Sequence, residues 1–157
     1  LQPIEGQVAI VAKWTSPVST AALRPNADLA LTRTVPASPI STDREVMVEL
    51  TARFKAGAPQ TGCYEVVEVV PSGLAPLPGW FGEEPGGTWS SPSSVLGQEV
   101  TFCVANVPKL GGVARMRYLA RIVTPGGYVW EPAIMQLVGA PDLLAFAPSN
   151  RIEIRDR

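Results

Sequence analysis

The feature that most constrains the fold is a repeated two-residue alternation of apolar and polar side chains, interrupted by proline and glycine. From Glu45 to Phe54, apolar residues fall on every second position and polar residues fill most of the positions between them. This period places the two sets on opposite faces of a half-buried β-strand. The pattern recurs at Val8, Ile10, Ala12 and Trp14; at Leu29, Leu31 and Val35; at Val100, Phe102 and Val104; at Ala114, Met116, Tyr118, Ala120 and Ile122; and at Ile152 and Ile154. The chain is therefore predicted to be all-β.

Turn-forming residues separate these segments, because the 157 residues include 14 Gly and 16 Pro. About seven to nine strands with such connections are typical of an antiparallel β-sandwich of the immunoglobulin-like kind. Little or no helix is predicted beyond one short turn near Pro141 to Phe146, since proline can begin a helix. Residues 1–157 are expected to form one domain, with long loops at Ser16 to Asn26 and at Pro71 to Gly97.

Composition removes several classes of function. The chain has no histidine and a net charge of −1, which disfavours Ser-His-Asp or Cys-His catalysis, histidine-bound zinc and nucleic-acid binding. Glu83 and Glu84 are adjacent on a loop and are not held apart as glycosidase carboxylates are. Pro125 to Gly127 lacks the lysine of a phosphate loop and is interpreted as a hairpin turn. The sequence predicts a non-enzymatic domain with no cofactor, no metal and no membrane span.

Two cysteines give a testable prediction. The alternation places Cys63 and Cys103 on outward faces of their strands, where neighbouring strands could bring them within bonding distance. A disulfide between them is favoured and would place the chain in an extracytoplasmic compartment. The alternative is two free thiols in a reducing compartment.

Charged residues interrupt two of the apolar patterns. Arg33 falls on the same side as Leu29, Leu31 and Val35, and Glu65 and Glu68 lie in the otherwise apolar segment from Tyr64 to Val70. A further row of charges, Arg115, Arg117 and Arg121, is predicted to face acidic side chains on neighbouring strands such as Glu45, Glu49 or Glu65. The alternative for this row is an anion site.

The loop at 79–91 carries three aromatic residues, Trp80, Phe81 and Trp89. Exposed aromatic residues on a sandwich loop can stack on sugars or anchor a protein partner. The other interpretation, which we favour, is that they attach a long loop to the sandwich, because leaving large apolar rings in water is unfavourable.

Three segments, in this order, resemble the C-terminal macroglobulin-like domain of bacterial alpha-2-macroglobulin-type proteins. They are LALTRTV followed by EVMVELTARF, then CYEVVEVVPSGLAPL, then RYLARIVTPGGYVWEPAIMQ. The resemblance extends over residues 4–155, so it covers nearly the whole chain. It implies a macroglobulin-like β-sandwich.

The resemblance also implies a function, because proteins of this kind look like protease traps. In many of them an internal thioester captures the protease, but this chain has Cys63-Tyr64-Glu65 in place of a Cys-Gly-Glu-Gln tetrad. The receptor-binding lysine helix of animal relatives is not carried over, since only Lys13, Lys55 and Lys109 are present.

The implied role is therefore a non-catalytic C-terminal module of a surface, periplasmic or secreted protein, acting in interdomain packing and conformational change. Its partners would be the thioester domain or neighbouring macroglobulin-like domains of the same parent chain, with proteases met only through the full-length protein. The alternative is an adhesion or carbohydrate-binding module that uses the aromatic loop at 79–91.

Overall fold

The computed structural model describes residues 24–42, 45–79 and 89–156. The predicted strand from Val8 to Trp14 and the loop residues Trp80, Phe81, Glu83 and Glu84 lie outside these ranges. The described residues form thirteen strands: β1 Leu29–Thr34, β2 Ile40–Ser41, β3 Glu45–Phe54, β4 Tyr64–Val69, β5 Leu74–Pro76, β6 Trp89–Ser90, β7 Ser94–Leu96, β8 Glu99–Val104, β9 Val113–Ile122, β10 Gly126–Trp130, β11 Ala133–Leu137, β12 Ala140–Ala147 and β13 Asn150–Arg155.

The all-β prediction is confirmed. In the described ranges the one helical element is a 3₁₀ turn at Pro108–Leu110, and no helix there has the length and apolar character needed to cross a membrane. Four of the strands (β2, β5, β6 and β7) contain only two or three residues. The remaining nine are the longer strands that alternation can reveal.

The strands form three sheets. The first has the order β1-β3-β9-β5, with β6 also paired to β9; the second has the order β12-β11-β4-β8-β7; the third is β10-β13-β2. All pairings in the described ranges are antiparallel except β6 with β9 and β13 with β2. This arrangement is the sandwich that the sequence predicted, with a small third sheet added.

The core lies between the first two sheets and is closed by the third. The ring of Phe54 on β3 lies 4.8 Å from that of Tyr64 on β4, and Phe102 on β8 lies 6.3 Å from Tyr118 on β9. Trp130 at the end of β10 is fully buried. Two pairs of aromatic rings thus pack across the interface between the facing sheets.

The long central pair β3 and β9 shows how alternation produces this core. Val48 pairs with Tyr118 and Leu50 with Met116, and these side chains are fully buried. The intervening residues point to the outer face of the first sheet. One face of the pair therefore fills the sandwich and the other carries charges.

The corner after β4 depends on a glycine. A Cβ atom at Gly73 would overlap the ring of Tyr128. The side-chain amide of Gln98 donates to the carbonyl oxygens of Val70, Pro71 and Leu74, at 2.8–3.1 Å. The Pro-Ser-Gly-Leu segment is thus fixed both by a close ring contact and by hydrogen bonds.

Three local predictions were wrong. Residues 141–146 belong to β12 rather than to a helical turn, since pairing with β11 outweighs the tendency of proline to begin a helix. The segment Pro71 to Gly97 contains β5, β6 and β7, which are too short to show alternation. Pro125 to Gly127 is not a hairpin turn, because β9 and β10 belong to different sheets; this segment instead carries the chain from one sheet to the other.

Replacing Gly112 with alanine is expected to destabilise the fold by about 3 kcal/mol. Gly112 has a φ of +65°, and a Cβ there would lie 2.5 Å from the carbonyl oxygen of Phe54. The Phe54 backbone cannot move away easily, because its N–H donates to the carbonyl oxygen of Gly112 at 2.8 Å. Urea denaturation of the variant measures the loss.

Gly127→Ala is the matched control for this experiment. Nothing lies within 4 Å of a Cβ at Gly127, so its free energy of unfolding is expected to change by no more than about 0.5 kcal/mol. Equal stability of the Gly112 and Gly127 variants would contradict the close approach of Gly112 to the carbonyl oxygen of Phe54.

Candidate functional site

The outer face of the first sheet brings Trp89 together with the arginine row. Trp89 on β6 lies opposite Arg115 on β9, and its ring centroid is 5.8 Å from the guanidinium carbon of Arg115 and 5.1 Å from that of Arg117. Both distances are within the range of cation–π attraction. The ring is half-buried, so Trp89 itself packs against the sheet.

The register of β3 and β9 decides what each arginine faces. Arg117 lies opposite Glu49 and Arg121 lies opposite Glu45, in agreement with the predicted cross-strand partners. Arg115 lies opposite Thr51. Glu65 belongs to β4 in the other sheet, so the suggestion that it faces this row was wrong.

The sandwich interior holds a second cluster that sequence reasoning did not assign. The guanidinium of Arg33 on β1 lies 2.9 Å from the carboxylate of Glu68 on β4, and the two side chains are only 3% and 0% exposed. The ion pair therefore joins the two main sheets through the core. Its signal in the sequence was present, since Arg33 and Glu68 each break an apolar pattern and have opposite charges.

Arg33 also donates to two backbone carbonyl oxygens and to a side-chain amide oxygen. It donates to the carbonyl of Glu131 at 2.7 Å and to that of Pro148 at 2.9 Å, and to Asn150 Oδ1 at 2.6 Å. Its guanidinium carbon also lies 5.0 Å from the ring centroid of Trp130. One side chain thus ties β1 to β4, to the end of β10 and to the start of β13.

The carboxylate of Glu68 has fewer partners than the guanidinium. Tyr118 Oη donates to Glu68 Oε1 at 3.4 Å, whereas Glu68 Oε2 and Trp130 Nε1 are buried with no hydrogen-bond partner in the described structure. Burial raises the pKa of Glu68. The positive charge of Arg33 opposes this rise, and the indole N–H of Trp130, although outside hydrogen-bond geometry, opposes it more weakly. The pKa of Tyr118 is also raised, by burial and then by the charge of Glu68.

The raised pKa of Glu68 predicts a pH dependence of stability. A carboxyl group whose pKa is higher in the folded protein binds protons more readily there, so its contribution is present below the unfolded pKa of about 4.3 and is lost as pH rises through the folded value. We therefore expect the stability of the wild type relative to Glu68→Gln to fall as pH increases above about 4.3. Urea denaturation of both proteins from acidic to neutral pH measures this difference.

Glu65→Gln is the control variant, because Glu65 is an exposed carboxylate on the same strand and its replacement also removes one acidic side chain. A wild-type advantage over Glu68→Gln that stays constant, or that grows with pH, would contradict the direction assigned to the pKa of Glu68.

The predicted cysteine pair is joined in the structure. Cys63 and Cys103 form a disulfide with Cα atoms 5.4 Å apart and a sequence separation of 40 residues. Cys103 is exposed on β8 and lies opposite Glu65 on β4, the residue two positions after Cys63. The bond therefore connects two adjacent strands of the second sheet on its outer side.

These features differ in their access to solvent. The Arg33–Glu68 pair is closed to solvent, and Trp89 and the arginines lie on an open sheet face. Within the described residues no group of three or more Cys, Asp or Glu side chains could hold a metal ion. The outer face of the first sheet is the candidate site for an interaction with another protein surface.

Comparison with known proteins finds similarity in structure. No protein-family model matches the chain, and no curated protein matches it significantly. Solved structures of bacterial alpha-2-macroglobulins do match. Trypsin-activated Escherichia coli alpha-2-macroglobulin matches at 18% identity and a TM-score of 0.65, and the alignment covers 87% of this chain and 11% of that one.

Two further structures agree with this match. Salmonella alpha-2-macroglobulin reacted with methylamine aligns at 20% identity and a TM-score of 0.63, over 86% of this chain and 10% of that one. A native Escherichia coli fragment spanning domain MG7 to the C-terminus aligns at 18% identity and a TM-score of 0.64, over 85% of this chain and 25% of the fragment. The chain thus spans about a tenth of the length of the longer proteins it matches. It has the fold of a domain in the C-terminal part of bacterial alpha-2-macroglobulins.

Proposed function

We propose that this chain is a non-catalytic C-terminal module of a bacterial alpha-2-macroglobulin-type protein. The observation that carries the proposal is the fold match over 87% of the chain to structures of that kind, together with its match to the MG7-to-C-terminus fragment. Its role would be to pack against neighbouring domains of the same parent chain and to change position with them.

The internal links of the sandwich support movement as a rigid unit. The Arg33–Glu68 pair joins the two main sheets, and the Cys63–Cys103 bond joins the residue before β4 to β8. A domain linked in this way can exchange its contacts with neighbouring domains while its own core packing stays the same. Interdomain contacts would then be made and broken at exposed sheet faces.

The proposed location is extracytoplasmic. The Cys63–Cys103 disulfide supports it, because such bonds persist in oxidising compartments and are rare in the cytosol.

The test is protease inhibition by the parent chain with and without this module. We expect deletion of the module to abolish or greatly weaken inhibition, because the conformational change would lose one of its packing surfaces. Thermal unfolding of the shortened parent checks that its remaining domains are folded. A folded deletion variant that inhibits as well as the intact parent would refute the proposed role.

A further inference from the structure

One end of the outer face of the first sheet forms a cleft beside the contact of Trp89 with Arg115. It is lined by Arg53, Leu110, Val113 and Arg115 and has a volume of about 220 Å³. Arg53 and Arg115 are exposed, and Leu110 is 58% exposed. The cleft therefore presents two positive charges beside an apolar surface.

Among the described residues, the strand register places no acidic side chain directly opposite either arginine; Glu49 is a diagonal neighbour of Arg115 but lies opposite Arg117. Arg53 lies between Ala30 on β1 and Val113 on β9, and Arg115 lies between Thr51 on β3 and Trp89 on β6. At the other end of the same face Glu45 and Glu49 lie opposite arginines. Within the described ranges, acidic side chains thus lie directly opposite the arginines at one end of the face but not at the cleft.

Arg53 and Arg115 are also close enough to act together. Arg53 pairs with Val113, two positions before Arg115 on β9, and such diagonal neighbours are about 7–8 Å apart. The carboxylate of Asp28, the residue before β1, lies against Gly57. Neither the Arg33–Glu68 nor the Arg155–Glu153 ion pair involves the cleft.

Local structure holds the walls of the cleft in place. The 3₁₀ turn positions Leu110, whose N–H donates to the carbonyl of Val107 at 2.9 Å. The ring of Trp89 lies against the guanidinium of Arg115, which restricts that side chain before any partner arrives. A restricted arginine loses less conformational freedom on binding.

We propose that this cleft binds an acidic segment of a neighbouring domain of the same parent chain, an assignment that rests on the proposed function. A carboxylate of that segment is held between Arg53 and Arg115, because guanidinium groups form charge-assisted hydrogen bonds with carboxylates. An adjacent apolar side chain of the segment packs on Leu110 and Val113. Charge complementarity selects an acidic partner over a neutral or basic one.

The test uses the 157-residue chain and two synthetic peptides of equal length, one alternating leucine with glutamate and the other alternating leucine with lysine. Methyl NMR is expected to show shifts of Leu110 and Val113 with the glutamate peptide and none with the lysine peptide. The double variant Arg53→Gln/Arg115→Gln is expected to bind the glutamate peptide about tenfold more weakly.

Arg121→Gln is the matched control, since Arg121 is exposed on the same strand but lies opposite Glu45. It should leave the affinity for the glutamate peptide unchanged. The proposal is overturned if the shifts map to another surface, if the double variant binds as well as the wild type, or if Arg121→Gln weakens binding equally.

The two proposals fail separately. If the glutamate peptide does not bind but deletion of the module still abolishes inhibition, the binding role of the cleft is refuted and the proposed function stands. Peptide binding at the cleft, with inhibition unchanged by deletion, would remove the proposed function and with it the neighbouring domain as the source of the segment.

Discussion

Replacing Arg33 with methionine is expected to lower the free energy of unfolding by about 3–5 kcal/mol. The substitution keeps much of the side-chain volume but leaves the carboxylate of Glu68 buried without its cation. It also removes the donors to the Glu131 and Pro148 carbonyls. Domains of this kind have only about 5–15 kcal/mol of total stability, so the loss is large. Urea denaturation and thermal unfolding both measure it.

The second partner provides an internal check on this prediction. Because a buried ion pair costs much of its attraction in desolvation, the double variant Arg33→Met/Glu68→Leu is expected to be more stable than Arg33→Met alone. Arg155→Met is the matched control, since Arg155 forms an ion pair of the same 2.9 Å length with Glu153 but is exposed. Its denaturation midpoint should not change. Wild-type stability of Arg33→Met would contradict the account of the core.

Removing the disulfide is expected to cost about 4 kcal/mol in the chain-entropy description. The bond closes a segment of 40 residues, and without it the unfolded chain gains the conformations that the link forbids. The double variant Cys63→Ala/Cys103→Ala, compared with the wild type in urea, measures this difference.

Reductant supplies the control for the cysteine experiment. Reduced wild type is expected to unfold at nearly the same urea concentration as the double alanine variant, and reductant should not alter that variant. Two free thiols in the native protein would contradict the bond and the proposed extracytoplasmic location, and equal stability of the oxidised and reduced forms would contradict the expected stabilisation.

Much of the fold could be predicted because the central strands are long. Ten residues of β3 and ten of β9 repeat the alternation often enough to fix which side chains face the core. The acidic residues opposite Arg117 and Arg121 could be named for the same reason. Where a strand is buried on one face for many residues, local pattern and tertiary structure agree.

Other features depend on pairings between distant segments. Pro125 to Gly127 has the composition of a hairpin turn, but β10 pairs with β13 rather than with β9. The tendency of Pro141 to begin a helix was likewise outweighed by the pairing of β12 with β11. No local signal in either segment reports the partner strand.

In the sequence, the buried Arg33–Glu68 ion pair shows only as two charged residues in otherwise apolar segments. Arg33 and Glu68 each lie at an inward position of an apolar segment, and opposite charges at such positions are worth testing as a pair, because an isolated buried charge is costly. Their contact could not be predicted, because the two residues are 35 positions apart in the sequence. For the candidate surface, Trp89 was named from composition, but its contacts with Arg115 and Arg117 required the β6–β9 pairing.

The most direct test of the central claim is hydrogen exchange of the proposed parent chain before and after cleavage by a protease. If the module packs against its neighbours and moves with them, amides of β3 and β9 near the outer arginine face should change protection on cleavage. The core around Arg33 and Glu68 should not change. Identical protection of this module in both forms of a parent that inhibits its protease would contradict the account.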